Sequence, residues 1–199
     1  HNKKFFRDIY KSSEIKVAPA FRNQEIFKYL KFQKNKSDKF RVLVIFTASY
    51  LDSIYIINDI NSLSDDLKRK VTFIFRFHNY SNTSELIKKI HKSVNYVTEN
   101  SKSIYQLIIK AECILCRPGS SYYEAKIFQK PLILTRRIYG ILPVNKKKLI
   151  KDGFCFDKSE IEKRLQFLIK KRLNKSAKKK LAGIYFNTIS ADKTKNFLK

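Results

Sequence analysis

The chain has 199 residues, a length that suits one domain with part of a second. It is 43% hydrophobic with 16 Phe and 11 Tyr, enough for a sizeable core, which excludes a disordered chain. With 43 Lys and Arg against 17 Asp and Glu the net charge is +26, a field that draws in nucleic acid, an acidic membrane surface or phosphorylated ligands.

In chain order, EIKVAP at residues 14–19 is short and extended, closed by Pro19, and residues 24–33 carry helical periodicity. Residues 33–40 are polar and read as a connection. A first residue His1 and no Met set the expectation of a piece of a longer protein, in which residues 1–38 would be the tail and linker of a preceding domain. RVLVIF at 41–46 is a continuous apolar run rich in branched residues, the signature of a buried parallel strand. Ser53–Leu63 places Ile54, Ile57, Ile60 and Leu63 three apart, one face of a helix. VTFIFRF at 71–77 is the next strand, Ser84–His91 a helix with Leu86, Ile87 and Ile90 inward, and VNYV at 94–97 a short strand.

Ser101–Ala111 is helical, with Ser101 or Ser103 available as cap. CILC at 113–116 is a strand, and Arg117-Pro118-Gly119 turns the chain into a helix over Ser120–Phe128. LILT at 132–135 and FCF at 154–156 are strands, and Ser159–Lys171 is a helix with Ile161, Leu165, Phe167 and Leu168 inward. The alternation predicts an α/β fold, a Rossmann-like open parallel sheet with helices on both faces, spanning 39–172. Residues 173–199 continue a Lys-rich stretch and read as a basic C-terminal helix, either packed on the domain or lying on an anionic membrane.

Cys113, Cys116 and Cys155 form no disulfide framework. Cys113 and Cys116 have redox-motif spacing but sit in an apolar run, so they are expected to be core residues; no zinc ligand set accompanies them. No apolar run reaches the roughly 20 residues that span a bilayer, and no secretory signal is visible, so the expected location is cytoplasmic, peripheral on the inner face of the membrane.

Ligands of such sheets bind beyond the C-terminal ends of the strands, which directs attention to the loops after Phe46, Phe77, Cys116 and Leu134. After Cys116, Gly119 allows close approach to a ligand, and the amides and hydroxyls of Ser120 and Ser121 at a helix start make an anion site. Glu124, one turn on, can accept from a ribose diol; alternatively Ser121 and Glu124 form a capping box. After the strand 71–77, Arg76 and His78 are two apart and share a face, from which both reach a phosphate. After Phe46, Thr47 and Ser49 stand where an open sheet meets an acceptor or a diphosphate, with Asp52 or Ser53 as helix caps. Lys130-Pro131 and Thr135-Arg136-Arg137 flank the next strand as phosphate contacts or surface charge.

Taken in order, the strand ending in Arg76-Phe-His78, the helix SKSIYQLIIKAE and the run GSSYYEAKIFQKPLIL resemble the C-terminal, donor-binding domain of GT-B-type glycosyltransferases. The resemblance covers roughly residues 40–170. Similar arrangements occur in bacterial sialyltransferases and polysialyltransferases, to which the motif order is nearest, in teichoic-acid glycerophosphate polymerases and in nucleotide-sugar epimerases. It implies that His78 and Ser120-Ser121 bind the donor's phosphate and nucleotide, although Asn79 stands where Pro is usual. It implies that Glu124 binds the ribose, and it leaves a CMP- or UDP-linked sugar open. It implies that the catalytic base comes from an N-terminal domain or a partner subunit. Here His78, Arg76 and the helix start at Ser120 are expected to stabilise the leaving phosphate without a metal or cofactor. The acceptor would be a glycan or lipid-linked glycan of a bacterial surface polysaccharide or glycolipid. A nucleotide-sugar epimerase-like enzyme and a basic nucleic-acid-binding module are the competing functions.

Overall fold

The computed structural model describes Tyr29 and residues 39–135, 153–155 and 157–173. The expectations for residues 1–28, 30–38, 136–152 and 174–199, including Arg136, Arg137 and most of the basic tail, lie outside the described residues. Tyr29 is helical, and its ring packs 5.8 Å from that of Tyr105.

Six strands form one sheet: β1 (Phe40–Ile45), β2 (Val71–Arg76), β3 (Tyr96–Thr98), β4 (Cys113–Cys116), β5 (Leu132–Thr135) and β6 (Phe154–Cys155). Their order is β3-β2-β1-β4-β5-β6 and every pairing is parallel. Helices α1 (Tyr50–Asn61), α2 (Asp65–Lys70), α3 (Thr83–Lys88), α4 (Ile104–Lys110) and α5 (Ser120–Ile127) make crossovers, and α6 (Lys158–Leu173) follows the last strand. This is a Rossmann-like open sheet, and its order reverses between β1 and β4.

Strand alternation feeds two cores. Phe40, Val42, Val44 and Phe46, with Phe73, Phe75, Cys113, Leu115 and Ile133, pack against Ile56, Ile57 and Ile60 of α1, Leu67 of α2, Leu86 of α3 and Leu165 of α6. Leu43, Ile74, Ile114, Cys116, Leu132 and Leu134 point the other way, onto Leu107 and Ile108 of α4 and Tyr122 and Ala125 of α5. Residues buried on both faces explain why the strands are continuous apolar runs.

Several expectations shift. Helix α1 begins three residues earlier than Ser53, because Ser49 is its cap and accepts from the Asp52 amide at 3.3 Å. Helix α2 was not expected; it is six residues long and buries Leu67 as its apolar anchor. Ser103 caps α4 in a full capping box with Gln106. Phe167 of α6 is not inward: it is 53% exposed, while Ile161, Leu165 and Leu168 are buried. Position 167 lies about 100° from 168 around a helix, outside the stripe formed by 161, 165 and 168.

Two chain reversals, one before β5 and one before β6, have clear causes. Helix α5 ends with the Gln129 amide donating to Lys126 and the Lys130 amide to Ala125, while Gln129 takes a left-handed φ of 53°. At Gly153 φ is +104°, and a Cβ there would come within 2.2 Å of the Leu132 carbonyl oxygen, so only glycine lets β6 close on β5. No helix among the described residues is long and apolar enough to cross a membrane.

Candidate functional site

The carboxyl ends of β1, β2 and β4 lie side by side, and their following loops converge at the point where strand order reverses. An aromatic wall supports two of these loops from below. Phe46 stacks on Phe77 at 4.5 Å and 8°, and Phe75 packs edge-on against both. Phe46 is further held by its amide, which donates to the Arg76 carbonyl at 3.0 Å. These rings fix where Thr47 and His78 leave the sheet.

The β1 loop is tied by its own hydroxyls. Thr47 Oγ1 accepts from the Ser49 amide at 3.2 Å, and the Thr47 carbonyl accepts from Ser53 Oγ at 3.4 Å and Ser81 Oγ at 3.3 Å. Thr47 is half-buried and Ser49 exposed, so both hydroxyls stand at the edge while also shaping the turn.

Arg76 and His78 have different partners, although Phe77 continues the inward row of Phe73 and Phe75 past the end of β2 at Arg76. Arg76 Nη1 donates to the carbonyls of Glu99 and Asn100 and pins the loop after β3. In that loop Lys102, then Ser101, hold the Glu99 carboxylate down at about 2. His78 is exposed in the β2 loop, tilted against Tyr80 at 5.4 Å. Its Nδ1 accepts from the Tyr80 amide at 3.3 Å, so in the neutral ring the proton sits on Nε2, which remains a donor.

The β4 exit is the densest part of the site. Gly119 is the N-cap of α5, and no side chain caps that helix. The capping-box alternative for Ser121 and Glu124 is thereby corrected: with the cap at 119, Glu124 lies five positions on, beyond the reach of a box. Ser120 is exposed and Ser121 half-buried in the first turn, where amides and hydroxyls project at the carboxyl edge. Gly119 has an extended φ of 179°, and a Cβ there would meet only the Arg117 carbonyl at 3.9 Å. Backbone conformation therefore does not require glycine; the open space above it does not refuse a methyl group either. Glu124 is 7% exposed, and its charge adds to burial in raising Cys116 to about 12.

Sequence reasoning missed the buried partner of this turn. Arg117, only 3% exposed, places Nη2 3.7 Å from Asp52 Oδ1 and 3.5 Å from the Asp52 carbonyl. Asp52 is 8% exposed in the first turn of α1, so the pair ties the β1 and β4 exits together across the crevice. An arginine between an apolar strand and a Pro-Gly turn was the available signal.

The remaining candidates lie apart from chemistry. Lys130 Nζ donates to the carbonyls of Ile109 and Ala111, both at 2.7 Å, closing the C-terminal end of α4. All three cysteines are buried; burial pushes the Cys113 thiol up and Cys155 to about 11, so they are core residues. Among the described residues no group of three or more His, Cys, Asp or Glu could hold a metal.

No protein-family model matches the chain, and no curated protein matches it. Solved structures do. A UDP-GlcNAc 2-epimerase from Methanocaldococcus jannaschii is similar over 90% of this chain and 50% of its own, with a TM-score of 0.50 at 18% identity. The domain is one half of a GT-B-like fold. S. aureus MnaA in complex with UDP matches 83% of this chain and 43% of its own, with a TM-score of 0.48 and 16% identity. The wall teichoic acid polymerase TagF matches 75% and 39%, with a TM-score of 0.48 and 15% identity. The chain thus spans half or less of the length of these structures, and at such identities the fold is what is shared. The fold shared with the epimerase stands, and the comparisons give no preference for the sialyltransferase-like members.

Proposed function

We propose that this GT-B-like domain is the nucleotide-sugar-binding half of a glycosyltransferase. The observation that carries the reading is the start of α5: a helix opening at the switch point without a side-chain cap, offering the amides and hydroxyls of Ser120 and Ser121 at the sheet's carboxyl edge. A donor diphosphate seated there would meet the positive end of the helix. His78 Nε2, on the neighbouring loop, would donate to the leaving phosphate as the glycosidic bond breaks. Thr47 and Ser49 line the adjoining loop, Arg76 adds positive charge at the edge, and Glu124 is the candidate for the ribose. In this scheme positive side chains and helix amides do the work without a metal, and the base that activates the acceptor hydroxyl comes from a second half. The acceptor would be a growing surface glycan or a lipid-linked glycan.

UDP is the first nucleotide to test, since UDP-GlcNAc is the substrate named for the epimerase of like fold. The same observation favours a nucleotide-sugar epimerase-like activity as the second reading. Product analysis separates the two: a transferase releases nucleotide and elongates an acceptor, whereas an epimerase returns an altered sugar nucleotide. A thermal-shift titration with UDP, CMP, GDP and ADP tests the site itself. One nucleotide at about 100 times its Kd should stabilise the protein by about 2.7 kcal/mol. The shift should vanish in both His78→Ala and Ser121→Ala. A shift retained in both variants would move the site elsewhere. Stabilisation by RNA oligonucleotides in place of mononucleotides would favour the nucleic-acid reading.

A further inference from the structure

Helix α6 spends one side on the core, through Ile161, Leu165 and Leu168. Outside that stripe it carries Phe167, 53% exposed. Helical geometry makes positions three and four away the neighbours of 167, and these are Lys163, Arg164, Lys170 and Lys171. The Arg164 guanidinium carbon lies 5.9 Å from the Phe167 ring centroid and the Lys171 Nζ 5.8 Å. Lys163, Lys170 and Lys171 are exposed. The acids lie at the start of α6, where Glu160 is one turn from Lys163 and Arg164 and Glu162 accepts from Ser64 Oγ at 2.6 Å; Lys170 and Lys171 have no acidic residue three or four positions away.

A single exposed aromatic is ordinary on a protein surface. An exposed aromatic flanked by three exposed lysines is an arrangement with a chemical preference. We infer that this face of α6 docks on an anionic phospholipid bilayer. The Phe167 ring enters the boundary between headgroups and acyl chains, and the lysines meet lipid phosphates. The chain's net charge of +26 favours the same approach at longer range. Single-stranded nucleic acid is the less suited occupant. A base would need the face of the ring for stacking, and two cations already stand over that ring. Insertion into lipid uses the ring's outer edge and leaves both cations in place. Because α6 packs on the sheet face that also carries α1, docking along it leaves the carboxyl edge open to ligand.

The chain contains no Trp, so Phe167→Trp introduces a single reporter at the proposed contact. With phosphatidylcholine vesicles containing phosphatidylglycerol, its emission should shift to the blue and be quenched by lipids brominated in their acyl chains. Phosphatidylcholine alone should leave it unchanged. Lys170→Glu with Lys171→Glu should lower affinity for the anionic vesicles about tenfold or more. Lys88→Glu with Lys89→Glu, an equal charge change at the exposed end of α3, should lower it far less. Phe167→Ala should weaken vesicle binding without changing the melting temperature. The inference is overturned by any of three results: no vesicle binding, binding without indole quenching, or equal losses for the two charge-reversed pairs. Binding of an RNA oligonucleotide that depends on Phe167, with vesicles ignored, would also overturn it. It is independent of the nucleotide reading: a protein that binds UDP but not vesicles defeats this inference alone.

Discussion

A methyl group at position 119 distinguishes a structural glycine from a ligand-facing one. The φ of 179° is open to any residue, and the nearest atom to an added Cβ is the Arg117 carbonyl oxygen at 3.9 Å. Gly119→Ala is therefore expected to fold normally, with stability changed by no more than about 0.5 kcal/mol. If a phosphate sits against the α5 amides, that same methyl occupies the approach and weakens nucleotide binding about tenfold or more. Calorimetric titration beside a melting curve reads both quantities. Unchanged affinity together with unchanged stability would remove the close approach from the proposed site. Gly153 provides the contrast: there the added Cβ would collide with the Leu132 carbonyl, so loss of stability is the expected outcome.

The Asp52–Arg117 pair belongs to the scale of elements, since it joins α1 to the β4–α5 turn. Its members are 65 residues apart and meet because β1 and β4 are in parallel register, Val44 beside Leu115 and Ile45 beside Cys116. Asp52→Asn removes the carboxylate from a buried guanidinium and is expected to cost about 3 kcal/mol. Replacing both, as Asp52→Asn with Arg117→Met, should recover part of that loss, with a coupling of about 1–3 kcal/mol in a double-mutant cycle from urea unfolding. Strict additivity would mean that the two do not interact. This pair also shows what a sequence withholds. Strands β1, β2, β4 and β5 were legible because residues buried on both faces leave unbroken apolar runs. The turn after Cys116 was legible because strand, Pro-Gly and hydroxyl residues stand next to each other in the chain. A contact between distant residues has no such local mark. Helix α2 was missed for want of a second apolar turn, and Phe167 was placed inward because hydrophobicity alone does not state which side of a helix a residue occupies. Spacing placed Arg76 beside His78, but it does not reveal that Arg76 is held by the Glu99 and Asn100 carbonyls.

At the scale of the whole molecule, a charge of +26 acts on every anionic ligand before any contact is made. Local contacts and the overall field leave different kinetic marks. In the proposed site, hydrogen bonds from Ser120, Ser121 and His78 would act after docking and govern how long a nucleotide stays. The field acts during approach and governs how often one arrives. The Debye length is about 10 Å at 0.1 M salt and about 3 Å at 1 M, so added salt removes the field well before it disturbs groups in contact. Stopped-flow binding of a fluorescent UDP analogue across that range should show the association rate falling about tenfold or more, with a much smaller rise in dissociation. A neutral uridine analogue should associate at a rate indifferent to salt. A salt effect confined to dissociation would assign the affinity to the α5 amides and His78 alone. The surplus positive charge would then play no part in capturing nucleotide.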